Sequence, residues 1–168
     1  LTVAMFSVVY GVLFRPLPFA APDRVVQVFR TGPDGRSGNV SPGPFFDLQR
    51  ESRSLRGVAA SSNTAIVLGT GLDAPRVDAA EVTANYFDVL GARAALGRGF
   101  SAGTDRPGDA LVVLGDRTWR DAFGSAPDVV GRTIRLDGVA HTVLGVMPAG
   151  FAEPRGTVVW RLAASDVP

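Results

Sequence analysis

Hydrophobic positions fall along this chain in short runs of differing period, and those periods predict an α+β fold of many short strands and three short helices. The first run, Leu1 to Phe14 (LTVAMFSVVYGVLF), is apolar and uncharged. As a helix it would span about 21 Å at 1.5 Å per residue, short of the roughly 20 residues a bilayer core requires. It reads as the outer part of a crossing whose beginning is missing. A buried core helix and a signal-peptide apolar region are the competing readings. Arg15-Pro16-Leu17-Pro18 ends it, because each proline removes a donor and disfavours helix in the residue before it.

Val25 to Arg30 (VVQVFR) is β-rich and predicts a strand, and the Gly- and Pro-bearing stretch Thr31 to Asn39 predicts a loop. Ser41 before Pro42 starts a helical pattern that runs to about Ser52, with Phe45, Leu48 and Gln49 on one face and Phe46 and Arg50 beside it. Two β-like runs follow, Val58 to Ala60 and Ala65 to Leu68. Gly69 to Asp73 is a turn, and Arg76 to Val82 alternates as a strand. Thr83 is placed to cap a helix from Ala84 to Leu90 that Gly91 ends, with Tyr86, Phe87 and Leu90 on its buried side. Ala110 to Leu114 is apolar throughout, the mark of a strand buried on both faces. Asp116 is placed to cap a helix over Arg117 to Phe123, which puts Trp119 and Phe123 on one face before Gly124. Asp137-Gly138 between two strand patterns, Arg132 to Leu136 and Val139 to Met147, is the strongest hairpin signal present. Thr157 to Leu162, with Trp160, predicts the last strand. A soft boundary falls near Leu96 to Gly103, and no internal repeat at a fixed period is present.

Composition narrows the function. Hydrophobic residues make up 46% and charged residues 20%, which is globular and not disordered. All 17 basic residues are Arg, interleaved with 16 acids for a net charge of +1, so there is no basic surplus of the kind a nucleic-acid groove needs. The absence of Cys excludes a disulfide framework and thiolate chemistry. Leu1 at the start and Ser165 to Pro168 at the end read as the ends of a fragment.

Tests for chemistry come out negative. Gly69-Thr70-Gly71-Leu72-Asp73-Ala74 has the spacing of a dinucleotide turn, but that mechanism needs a helix to begin there, and Pro75 leads into a strand. Asp105, Asp109 and Asp116 are too few for a calcium loop and read as a solvated loop plus a helix cap. His141 is the single His and has no Cys or second His with which to bind zinc. It reads as an exposed or hydrogen-bonded strand residue. Neither a nucleophile-elbow motif nor a Walker A sequence is present. Asn39-Val40-Ser41 matches a glycosylation sequon that chance supplies often. Trp119, Trp160, Phe123, Phe87 and Tyr86 have core spacing in preference to a ligand platform. The pattern predicts no enzyme, no cofactor and no metal.

The order of the segments carries a resemblance. Phe14-Arg15-Pro16-Leu17-Pro18-Phe19, Ser41-Pro42 to Leu48 and Ser54-Leu55-Arg56-Gly57-Val58-Ala59-Ala60 come first. Val82-Thr83-Ala84-Asn85-Tyr86-Phe87-Asp88-Val89-Leu90-Gly91 and Leu96-Gly97-Arg98-Gly99-Phe100 follow. Val112-Val113-Leu114-Gly115-Asp116, Asp128 to Gly138 and Thr142 to Pro148 complete the set. Together these resemble the periplasmic core domain of ABC transporter permeases of the MacB and FtsX class, especially the large duplicated acidobacterial permeases. Gly115 stands where that family has Ser, His141 where it often has an aromatic, and Arg161-Leu162 lacks its Pro.

The resemblance implies an extracytoplasmic domain on the bacterial inner membrane that transmits ATP-driven movement for efflux or extraction of a substrate. It implies as partners a separate ATP-binding domain or subunit, a second permease copy and the membrane. It also implies a division into residues 1–14 as the end of a transmembrane helix, 15–96 as a partial porter-like lobe and 97–168 as a sabre-like β-rich lobe. The residues expected to matter are structural: Asn85, Tyr86, Phe87, Gly91, Trp119, Phe123, Gly131, Asp137, Gly138 and Trp160. A secreted or membrane-anchored non-catalytic binding module of the same fold is the alternative. A periplasmic hydrolase would require Asp105, Asp109 or His141 to converge on a pocket.

Overall fold

The computed structural model describes residues 22–31, 37–38, 40–71 and 73–165, so the apolar run from Leu1 to Phe14 lies outside the described residues. The chain folds as α+β. Strands β1 (Arg30–Thr31) and β2 (Ser37–Gly38) form a small antiparallel pair, and helix α1 spans Pro42–Glu51. One open mixed sheet follows. It contains β3 (Ser61–Val67), β4 (Arg76–Val82), β5 (Leu96–Gly97), β6 (Leu111–Leu114), β7 (Thr133–Leu136), β8 (Val139–Val146) and β9 (Val159–Leu162). The short helices α2 (Tyr86–Leu90) and α3 (Asp116–Phe123) sit in its connections.

The strand order is β3-β4-β9-β6-β8-β5, with β7 also paired to β8. The last strand therefore enters the middle, parallel to β4 and antiparallel to β6. Residues on both sides of position 96 contribute to this one sheet. Its two faces carry different cores. Val112, Leu114, Ile134, Leu136, Val143 and Val159 belong to an aliphatic cluster. Val113, Phe87, Phe100, Met147, Phe151 and Trp160 belong to an aromatic-rich one. The alternation Val112, Val113, Leu114 divides β6 between the two clusters, as the two-residue period of a strand requires, and all three side chains are fully buried.

The β7–β8 hairpin turns at Asp137 and Gly138, both with positive φ (50° and 81°), the backbone that a two-residue Asp-Gly turn supplies. Gly91 and Gly124 end α2 and α3 in the left-handed conformation expected of them.

Four local expectations need correction. Within Val25 to Arg30 only Arg30 is in a strand, and Val26, Val28 and Phe29 are exposed, because no strand of the large sheet lies beside them. Of the two β-like runs only the second is a strand: Val58 to Ala60 is in none, where the Ala60 N–H is taken by the Thr83 hydroxyl (3.1 Å), and the strand begins at Ser61 and ends at Val67. Thr83 is not the helix cap. Its hydroxyl donates to Asn85 Oδ1 (2.8 Å), and α2 starts at Tyr86. Asp116 is the first residue of α3 and not its cap; Gly115 takes the cap position because its N–H is committed to the Val158 carbonyl (2.8 Å) and a Cβ there would sit 3.0 Å from that same oxygen.

Candidate functional site

The groups considered for chemistry are each engaged locally. Asp105 is not solvated. It is 5% exposed, and Arg98 holds it through two bonds of 2.6 and 2.8 Å. The Ser101 N–H and the Thr104 hydroxyl add bonds of 2.8 and 3.2 Å. These donors, the Arg98 guanidinium first, hold the Asp105 carboxyl below its usual range. Asp109 accepts the Arg106 N–H (2.8 Å), and Asp116 pairs with Arg120 (3.0 Å). His141 lies in β8 with Nδ1 3.0 Å from the Val139 carbonyl. Gly69 to Pro75 is the β3–β4 connection, and no helix begins in it. Among the described residues, no group of three or more His, Asp or Glu is placed to hold a metal ion.

The same residues are well arranged for rigidity. Phe87 stacks among Tyr86, Phe100, Phe151 and Trp160 at ring separations of 5.6 to 5.9 Å. Trp160 is fully buried, and its indole N–H donates to the Glu153 carbonyl (2.6 Å). Burial drives the Tyr86 phenol above its usual range, with a bond to the Ser61 hydroxyl acting the other way. Asn85 ties α2 to the segment ahead of β3 by donating to the Val58 carbonyl (2.9 Å).

On the other face, Trp119 and Phe123 pack half-buried against the aliphatic cluster, which includes Ile134, Leu136 and Val143 of the hairpin. The Trp119 indole N–H reaches the Ala126 carbonyl (2.8 Å). Gly131 enters the hairpin with φ 85°, and its N–H bonds the Val143 carbonyl (2.8 Å).

Asp137 does more than turn the hairpin. Its carboxylate accepts the Val67 N–H (2.9 Å) while its own N–H donates to the Val67 carbonyl (3.0 Å), so the hairpin tip is fastened to the end of β3. Arg161 pairs with Glu81 across β4 and β9 and reaches Asp137 at 3.5 Å. This tie, the Arg98–Asp105 pair, and the close approach of Gly97 to the Leu144 carbonyl (2.3 Å from a Cβ built there) were not signalled by sequence. The first and third join segments distant in the chain, and the Arg98–Asp105 pair, seven residues apart, is hidden among the many Arg and Asp residues along it.

The family described as the MacB-like periplasmic core domain matches residues 1–163. The chain belongs to that family. No curated protein matches it by sequence. The fold is similar to that in the crystal structure of the periplasmic region of MacB from Actinobacillus actinomycetemcomitans. The TM-score is 0.61 and the identity 17%, covering 76% of this chain and 56% of that one. It is also similar to the extracellular domain of the noncanonic ABC-type transporter YknZ from Gram-positive bacteria. There the TM-score is 0.58 and the identity 16%, covering 72% of this chain and 61% of that one. This MacB-like chain thus spans less than two thirds of either solved domain.

Among the described residues no helix is long and apolar enough to cross a membrane. The family places the domain on the extracytoplasmic side of a membrane, and it is a transporter-permease domain, a non-catalytic kind.

Proposed function

We propose that this domain is the external lever of an ABC transporter permease subunit. It moves with ATP hydrolysis carried out by a separate ATP-binding partner and works beside a second permease copy in a bacterial inner membrane, for efflux or extraction of a substrate. The carrying observation is the family match, which runs over residues 1–163 and leaves almost none of the chain for another role. Physical support comes from the two cores and the cross-ties, since a lever has to pass force without deforming. In this reading residues 1–14 end a transmembrane helix, and residues 15–96 and 97–168 supply porter-like and sabre-like parts.

The chain has no Cys of its own, so one added at the exposed Arg155 reports alone within it. In intact cells the Arg155→Cys protein, carried in its complete gene, should react with a membrane-impermeant maleimide and stay with washed membranes. With the ATP-binding partner present, spin labels at that site in two copies should change separation when ATP is added. Release of the protein from washed membranes would favour the secreted-module alternative. An unchanged separation during ATP turnover would remove the lever.

A further inference from the structure

Along its ladders the large sheet ends in β3 on one side and in β7 and β5 on the other. An isolated antiparallel bridge joins β3 to β7, with Leu68 opposite Leu136. The Gly69 N–H donates to the Arg135 carbonyl (2.8 Å) and the Asp137 N–H to the Val67 carbonyl (3.0 Å). The Asp137 carboxylate accepts the Val67 N–H in return (2.9 Å). Six strands therefore run in a ring, β3-β4-β9-β6-β8-β7 and back to β3. Ile66, Ala79, Val159, Leu114, Val143 and Leu136, one from each of these strands, belong to a single buried aliphatic cluster. That is the filling of a small barrel, whose interior has room for side chains only.

The β3–β7 seam is one bridge long, whereas on its other edge β3 is paired to β4 from Ser61 to Val67. Asp137 reinforces the short side, since it engages both backbone groups of Val67. Arg161 lies on the same face of β9 as Val159, which is the aliphatic face. It bonds Glu81 on β4 (2.9 Å) and reaches Asp137 at the seam (3.5 Å), so one guanidinium links three parts of the ring.

Closure has a mechanical consequence. β3 and β4 precede position 96, and the other strands of the ring follow it. Held by the β4–β9 ladder alone, the β3–β4 pair could swing about that ladder. Held at the seam as well, it cannot turn without breaking backbone bonds at Val67 and Gly69 and opening the aliphatic cluster to water. We infer that residues 61–82 and 111–162 move as one closed body, shut by the bond from the Val67 N–H to Asp137, so that the lever does not bend at position 96. This rests on the lever proposed above and names the part of it that stays rigid. Asp137 is its positioning residue.

Two variants isolate the bond. Gly and Asn both adopt the positive φ of residue 137, so both keep the turn. Only Asn keeps an oxygen for the Val67 N–H. In the complete protein in detergent, hydrogen exchange of the Gly69 amide should rise about tenfold in Asp137→Gly, as one lost hydrogen bond predicts. It should stay at the wild-type rate in Asp137→Asn. A rate that neither variant changes, or that Asp137→Asn fails to restore, overturns the role of this bond.

The closed body is tested in the membrane with the ATP-binding partner. One copy carries spin labels at Asn63→Cys on β3 and Ala140→Cys on β8, both exposed positions, beside an unlabelled second copy. Their separation should keep one narrow distribution when ATP is added. A separation that shifts with ATP would show the seam opening and overturn the inference, while a response of the two-copy label pair at Arg155→Cys would leave the lever standing. If the Arg155→Cys pair does not respond, the lever falls. A narrow distribution between positions 63 and 140 then still upholds the closed body, and a broad one overturns it.

Discussion

Residues 22–51 and residues 61–162 both contain β-branched and aromatic runs, but only the second stretch turns them into a core. Val25 to Phe29 has the composition of a strand and lies exposed, and Phe45 is the one large apolar side chain of α1 that is buried. Leu111–Leu114 has no better strand composition, yet Val112, Val113 and Leu114 are fully buried, since β8 and β9 flank it and both of its faces are covered. What separates the two is the supply of neighbours. A β-rich run becomes a strand when an edge is available to it, because its backbone groups need partners and its side chains need a facing layer.

The sharpest way to break this contrast is at the centre of the sheet. Trp160 is fully buried among Phe87 and Phe151 and bonds the Glu153 carbonyl. Trp160→Ala should lower the unfolding free energy by about 3–5 kcal/mol in a denaturant titration. A loss under 1 kcal/mol would mean that the aromatic face is not the core. Trp119→Ala should cost less, about 2 kcal/mol, since Trp119 is only half-buried and loses one indole hydrogen bond along with its packing.

Legibility from sequence follows the same division. Elements whose signal is local were readable: the buried run at Leu111–Leu114, the Asp137-Gly138 turn, and the glycines that stop α2 and α3. What depended on distant segments was not. Nothing in Val159–Leu162 signals that the last strand enters between β4 and β6. Gly145 reads as one more glycine until β5 crosses it so closely that a Cβ would lie 2.5 Å from the Arg98 carbonyl. Asp105 reads as one of several loop acids, and its burial follows from the position of Arg98. The candidate site behaves likewise, because the ties of Asp137 to Val67 and of Arg161 to Glu81 belong to the topology and no motif announces them.

Asp105 gives the next test, with a pH signature. Its pKa is lowered in the fold, mainly by Arg98, so its contribution is fully present above the ordinary Asp value of about 3.9. That contribution fades as pH falls through the lower folded value. Asp105→Asn should cost about 1–2 kcal/mol at pH 7, a modest figure because Arg98 is half exposed and partly screened. The gap from the wild type should narrow as the pH drops below about 4. A gap that stays constant down to pH 2 would show that the carboxylate charge is irrelevant and only its shape matters.

The smallest effect should come from the other side of the comparison. Val28→Thr keeps size and β-branching and changes polarity alone, at a position 48% exposed. In dilute solution, where copies are apart, it should shift the unfolding free energy by less than about 0.5 kcal/mol. If the dilute protein lost more than about 1 kcal/mol, Val28 would be packed within its own chain. The run would then have a partner after all, and the contrast between the two regions would be one of degree.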